Sequence, residues 1–364
     1  MKVLIDDKIP YIKAAAEWLF GEVSYLPGHA FMGRDELREA DALIIRTRTR
    51  CDAALLDATA VKFIATATIG HDHIDAAQMQ SLGIAWTNCP GCNAVSVAQY
   101  VLNSILLIAQ RRRVAPSQMC VGIVGYGNVG RQVKLALEAM GCPVLLNDPP
   151  LVSSIHANVV DAAGNECFVD LKDIARRCDI ITLHTPLTAE GQWPTYHLID
   201  QRFLDSLERK PVIINAARGG VIDESALLAA KAEGKVSELV IDTWEGEPNI
   251  NRELLATAFI ATPHIAGYSA DGKSNATRMA LRAVCTHFGI HISDESRFLQ
   301  LTAPPPLPDD IKFCGDPTLD ALTLYNPLAD TRRLKANPQD FEAQRGNYPL
   351  RRSPKGCLYR QALP

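Results

Sequence analysis

Val121-Gly-Ile-Val124-Gly125-Tyr-Gly127-Asn-Val-Gly130 decides the fold. Four residues of strand character run into three glycines at G-x-G-x-x-G spacing, and residues 129–140 then read as a helix stopped by Gly141. In such a strand–turn–helix, Gly125 permits the tight turn, Gly127 lets backbone approach a pyrophosphate, and Gly130 lets helix and strand pack closely. The helix N-terminus turns unpaired N–H groups toward the phosphates. Asp148 stands at the distance expected of an acid that accepts bonds from both hydroxyls of an adenosine ribose. That carboxylate repels a 2′-phosphate, which selects NAD over NADP.

Outward from this unit, strand and helix signals alternate along most of the chain. Short buried strands are expected at residues 2–5, 42–46, 61–66 and 84–86, then at 144–147, 180–184, 212–215, 239–242 and 259–261. Helices are expected at 10–20, 53–58, 75–82, 171–178, 201–207, 224–233 and 270–288. This is the pattern of an α/β protein with two doubly wound, Rossmann-like parallel sheets. From about His291 the alternation stops, and Ala303-Pro-Pro-Pro-Leu-Pro reads as a stiff linker into a small C-terminal α+β module.

Composition excludes several classes. Apolar residues make up 47% of the 364, charged residues 21%, and the net charge is −4. A general nucleic-acid binder needs a basic excess that is absent here. Residues 94–109 form the most apolar stretch, yet Gln99 and Asn103 interrupt it and it falls short of the ~20 residues a span needs. A buried helix ending at Arg111-Arg112-Arg113 is the expectation, and no membrane partner. Met1-Lys-Val-Leu-Ile-Asp-Asp has no signal-peptide pattern, and ten scattered cysteines suit reduced thiols, so a cytoplasmic location is expected. Cys89-Pro-Gly-Cys92 is the one CxxC; without a second pair it reads as a turn, and no metal is expected.

Three strand ends carry polar groups that a core would reject. Asn215-Ala-Ala-Arg218-Gly-Gly places an arginine past one strand, Asp242-Thr-Trp-Glu-Gly-Glu247-Pro two acids past another, and Thr262-Pro-His264-Ile-Ala-Gly267 a histidine past a third. Singly, each has a structural reading as a cap, a turn acid or a satisfied histidine. Together they make a set suited to a 2-hydroxy acid. The arginine clamps a carboxylate, the histidine takes the hydroxyl proton, and the glutamate orients the histidine.

The glycine fingerprint, Arg218-Gly-Gly, the Glu247 turn and Pro263-His264 together resemble the D-isomer-specific 2-hydroxyacid dehydrogenases over about residues 1–290. The resemblance implies a substrate domain of residues 1–95 plus 270–290, an NAD-binding domain of 96–269, and a dimerisation module at 291–364. Ala65-Thr-Ala-Thr68-Ile-Gly-His-Asp-His, Pro90-Gly-Cys-Asn-Ala, Asp148-Pro-Pro, His184-Thr185-Pro-Leu and His264-Ile-Ala-Gly267-Tyr268 extend it. It implies catalytic roles for Arg218, Glu247 and His264. NAD contacts are implied at Asn128, Val129, Asp148, Thr185, Ala216, Arg218, Asp242 and Gly267, and substrate contacts at Thr47, Thr68 and Tyr268. Thr47 stands where the family usually has serine. The implied partners are a phosphorylated 2-hydroxy acid and a second copy of the chain. Two alternatives stay open: a dehydrogenase for another D-2-hydroxy acid such as glycerate or phosphoglycerate, or an NAD-sensing co-repressor.

Other features are less decided. His71 and His73 flank Asp72 and read as supporting residues, while Arg46, Arg48 and Arg50 are either a phosphate site or a solvated face. Residues 331–364 hold eight Lys/Arg against two Asp/Glu, with Arg345, Arg351 and Arg352 around Tyr348. The expectation is that this basic end makes the dimer and raises the positive potential over an active-site mouth.

Overall fold

The computed structural model describes residues 1–154, 168–307 and 311–353. They fall into two units, one of residues 1–93 and 269–307, the other of 94–268 and 308–364. Each is built on one parallel sheet.

The first unit alternates β1 (Lys2–Asp6), α1 (Lys13–Leu19), β2 (Glu22–Leu26), α2 (Asp35–Glu39), β3 (Ala42–Ile45), α3 (Ala53–Leu56), β4 (Phe63–Thr66), α4 (Ala76–Ser81) and β5 (Ala85–Thr87). The strands pair in the order β2-β1-β3-β4-β5. Val3, Ile5, Ala42, Ile44, Phe63 and Ala65 face one core layer, and Leu4, Leu43, Ile45 and Ile64 the other. Apolar residues on both faces are what a sheet covered on both sides requires. The elements β2 and α2 add to those expected. Glu-Val-Ser-Tyr-Leu is half polar because β2 is an edge strand, yet Val23 and Tyr25 pack on the core at period two.

The second unit opens with α5 (Ala94–Arg112), buried along most of its length. There follow β6 (Val121–Val124), α6 (Asn128–Ala139), β7 (Val144–Asn147), α7 (Pro149–Ser154), α8 (Leu171–Arg177), β8 (Ile180–Leu183), α9 (Gln201–Asp205), β9 (Val212–Asn215), α10 (Glu224–Ala232), β10 (Glu238–Ile241), α11 (Arg252–Thr257) and β11 (Ile260–Ala261). The order β11-β10-β9-β8-β6-β7 reverses direction between β6 and β8, the switch point beyond which open α/β sheets bind ligands. Asp170, Asp200, Asp223 and Asn251 each cap the helix that follows. No helix among the described residues is long and apolar enough to cross a membrane.

The chain then returns to the first unit. There α12 (Ala270–His287) lays Ala276, Ala280, Leu281 and Val284 on the sheet, and α13 (Glu295–Leu301) adds Phe298. Past residue 310 the described elements are helices of the second unit: α14 (Pro317–Leu324), α15 (Pro327–Ala336) and α16 (Phe341–Gly346). Ala321 and Tyr325 enter one of its core layers, Leu334 and Phe341 the other. The self-standing α+β module expected over 291–364 is therefore corrected: the segment is divided between the two units. Its few apolar residues cannot bury a core of their own and complete cores already present. Gln99 and Asn103, the polar interruptions of α5, bond to this segment. Asn103 Nδ2 donates to the carbonyls of Ala321 and Tyr325, and Gln99 Nε2 to that of Arg352.

Candidate active site

At the end of β6, Gly125 turns the chain with φ +93°, and a Cβ there would stand 2.7 Å from the His184 carbonyl carbon. At Gly130 a Cβ would lie 2.1 Å from the Gly125 oxygen. At Gly127 it would meet nothing within 4 Å, and no side chain caps the N-terminus of α6 behind it. Asn128 and Val129 form the first turn of that helix. Two of the glycines are demanded by the fold and the third leaves a cradle. Beside it, His184 Nδ1 and Thr185 Oγ1 beyond β8 are buried with no protein partner, as is Thr243 Oγ1 beyond β10. Unpartnered polar atoms at strand ends, beside an open helix N-terminus, fit a dinucleotide. Burial lowers His184 to about 3, so its ring is neutral.

Asp148 follows the edge strand β7. Its Oδ2 accepts the Tyr126 N–H at 2.7 Å and its Oδ1 the Leu151 N–H at 3.0 Å. The carboxylate is thereby fixed against the glycine loop, and each oxygen keeps acceptor capacity for a ribose hydroxyl.

Strands β9, β10 and β11 are neighbours, so the residues just past their carboxyl ends stand side by side: Arg218, Glu247 and His264. Gly219 makes the first approach possible, since a Cβ there would lie 1.9 Å from the Trp244 carbonyl oxygen. Half-buried Arg218 rests its Nη1 on the Ala217 carbonyl at 2.8 Å. His264 Nδ1 lies 2.8 Å from Glu247 Oε2 and 3.1 Å from Oε1, and Oε1 also accepts the Trp244 N–H at 3.0 Å. This contact fixes the ring and leaves Nε2 for another partner. Burial works to raise the Glu247 carboxyl, but the His264 hydrogen bond and charge, the Trp244 N–H and the Arg345 guanidinium bring it below its ordinary value.

His264 has φ +55°, a left-handed conformation that costs a non-glycine residue about 1–3 kcal/mol and clusters at functional sites. Asp242 holds it there. The Asp242 carbonyl accepts the His264 N–H at 2.8 Å, Oδ1 accepts from Thr262 Oγ1 and the Ile265 N–H, and Oδ2 accepts the Ala266 N–H. The resemblance implies that Asp242 touches NAD; in the structure its buried carboxylate organises the turn that carries His264. Ala216 and Gly267 lie half-buried past β9 and in that turn, and Tyr268 closes the turn edge-on to Tyr348.

Thr47 and Thr68 belong to the first unit. Thr47 is exposed just past β3, and Thr68 Oγ1 lies 2.7 Å from Thr66 Oγ1 and donates to the Gly70 carbonyl. His73 joins the same chain through Thr66, a supporting role, and burial lowers its pKa. Arg46 is paired with buried Asp6 at 3.0 Å and Arg50 with Asp52 at 2.8 Å. Each of these two arginines thus has its own carboxylate partner.

Three further residues bear on the site. Thr243 lies within the 242–248 stretch, and its place just past a buried strand is the signal that marks it. Arg345 reaches Glu247 Oε2 at 3.6 Å. Arg351, 8% exposed, donates to the carbonyls of Ile265, Ala266, Tyr268 and Ser96 and sits 4.0 Å over the Tyr325 ring. The expectation that these arginines spread positive potential over a mouth is corrected. Both charges are engaged in specific contacts, Arg351 beneath the His264 turn and Arg345 on the carboxylate beside it.

Residues 108–266 match the family model described as D-isomer specific 2-hydroxyacid dehydrogenase, NAD binding domain. The chain is 50% identical over 355 residues to the erythronate-4-phosphate dehydrogenase of Bacteroides thetaiotaomicron, covering 98% of each. It is 41% identical to the protein of the same name from Porphyromonas gingivalis, covering 98% of this chain and 94% of that one. In structure it resembles the D-lactate dehydrogenase of Aquifex aeolicus, solved with NAD and lactic acid. The TM-score is 0.62 at 23% identity, over 79% of this chain and 96% of the other, a likeness of fold. Fold, site and matched model define an NAD-dependent dehydrogenase of the D-isomer-specific 2-hydroxyacid class. Within that class, the chain belongs to the erythronate-4-phosphate dehydrogenase family.

Proposed function

We propose that this chain oxidises 4-phospho-D-erythronate at its 2-hydroxyl to 2-oxo-3-hydroxy-4-phosphobutanoate, a step of pyridoxal 5′-phosphate biosynthesis. The observation that carries the reaction type is the Glu247–His264 pair, 2.8 Å apart, beside Arg218 at adjacent strand ends. His264 Nε2 takes the hydroxyl proton, while Glu247 keeps the proton on Nδ1 and balances the imidazolium that forms. Arg218 holds the substrate carboxylate and stabilises charge on the reacting oxygen. When bound, NAD supplies the acceptor for the hydride leaving C2. Gly125, Gly127 and Gly130, with Asn128 and Val129, would hold its pyrophosphate and Asp148 its ribose; Thr185, Ala216, Arg218, Asp242 and Gly267 are the further candidate contacts. The hydroxyls of Thr47, Thr68 and Tyr268 are the candidate substrate ligands. A co-repressor that only senses NAD has no use for the Arg218, Glu247 and His264 set. Homodimerisation and a cytoplasmic location belong to the same reading. The names of the relatives support the substrate, exposed Phe313 and Leu319 offer apolar surface near the C-terminus, and the eight described cysteines are free thiols.

The test is NADH formation across a panel of 2-hydroxy acids with and without a 4-phosphate. Phosphoerythronate should give the highest kcat/KM by at least tenfold. Equal or better turnover of glycerate or phosphoglycerate would overturn the assignment.

A further inference from the structure

Residues 341–353 reach the Glu247–His264 site through Arg345 and Arg351. Arg345, in the last turn of α16, places Nη1 3.6 Å from Glu247 Oε2, the oxygen that His264 Nδ1 approaches at 2.8 Å. The other oxygen, Oε1, accepts the Trp244 N–H, so both ends of the carboxylate are held and its rotamer is fixed. Arg345 is itself clamped: Glu342 lies 3.8 Å away one turn earlier, and its side chain bonds Tyr268, which closes the His264 turn. Phe341, fully buried, anchors α16 in the core of the second unit. The neighbourhood is otherwise acidic. Glu224 is buried beneath the loop after β10, accepts the Glu245 N–H at 2.8 Å, and is raised to about 7 by burial and by Glu245 and Glu247. Glu245 is occupied by His197 at 2.6 Å.

We propose that Arg345 is a positioning residue for the dehydrogenase reaction, holding the Glu247 carboxylate in the one orientation that fixes the His264 ring, so that the C-terminal segment is part of the active site. The proposal rests on the assignment of Glu247 and His264 as the proton-transfer pair. A guanidinium suits the task because it presents several N–H groups in a plane and can face Glu247 and Tyr268 together, which a compact ammonium does less well. Burial works against the charge on Arg345, and Tyr268, Glu247 and Glu342 more than offset it.

The experiment compares Arg345→Ala, Arg345→Lys and His264→Ala in the full-length protein by steady-state kinetics, thermal unfolding and rescue with guanidinium chloride below denaturing concentration. Arg345→Ala should lower kcat about 10- to 100-fold, as expected when a catalytic group is misplaced by about 1 Å. The KM for NAD should stay unchanged. Added guanidinium should restore part of the lost kcat, and Arg345→Lys should retain more activity than Arg345→Ala. Wild-type kcat in Arg345→Ala overturns the proposal. So does a loss that neither guanidinium nor lysine recovers, because that assigns Arg345 to the fold alone. If His264→Ala itself keeps turnover, the proton-transfer reading falls; a dead His264→Ala beside an unaffected Arg345→Ala refutes only the role of Arg345.

Discussion

The glycine loop at 125–130 and the His264 turn at 262–268 stand past strands of one sheet, yet they are kept in shape by opposite means. The loop is shaped from within. Gly125 takes φ +93° without cost, and Gly130 lets the Gly125 carbonyl approach to where a Cβ would sit. The turn is shaped from without. His264 is forced to φ +55° and held by Asp242, one strand away, while Arg351, more than eighty residues later, collects the carbonyls of Ile265, Ala266 and Tyr268. A phosphate cradle needs bare backbone, which glycine alone supplies. A proton-transfer residue needs its side chain, so its backbone strain has to be absorbed elsewhere.

The sharpest way to break this contrast is to remove the outside support. Arg351→Met leaves several buried carbonyls without donors and should cost about 3–5 kcal/mol of stability, measured by urea unfolding. If stability is unchanged, the turn supports itself. In the loop the effect should be local. Gly127→Ala should leave the unfolding midpoint unchanged, because a Cβ there meets no protein atom, yet weaken NAD binding by about tenfold, roughly 1.4 kcal/mol, by blocking the pyrophosphate. Unimpaired NAD binding would move the cradle elsewhere. The smallest effect concerns selectivity. Asp148→Ala removes the carboxylate expected to face the ribose, along with its bonds to the Tyr126 and Leu151 N–H groups, and should erode the preference for NAD over NADP. Equal use of NADP by the unmodified protein would refute the role of Asp148.

The same contrast explains what was legible in the sequence. Gly125, Gly127, Gly130 and Asp148 carry their meaning in local spacing, and Arg218, Glu247 and His264 each lie in the short stretch past an apolar strand, where polarity is anomalous. Their adjacency then follows from parallel strand order. Arg345 and Arg351 stand out in the sequence only as part of a basic end that reads as a dimer contact and a source of positive potential; their specific contacts emerge only once α14–α16 are seen filling the second unit's cores. Asp242 stands out in the sequence by its position at a strand end. That its carboxylate organises the His264 turn emerges only from its contacts with Thr262, Ile265 and Ala266. The edge strand β2 was legible in principle, through the alternation of Val23 and Tyr25, but Glu22 and Ser24 hide it from a search for continuous apolar runs.

On the proposed mechanism His264, oriented by Glu247, moves the substrate proton at a place separate from the dinucleotide cradle. Turnover of His264→Ala, set beside its NAD affinity read from quenching of tryptophan fluorescence, separates the two places. The expected result is a fall in kcat of about 10²–10⁴-fold, the usual worth of a general base, with NAD affinity within about twofold of the unmodified protein. Near-normal turnover, or NAD binding lost in step with activity, would contradict it.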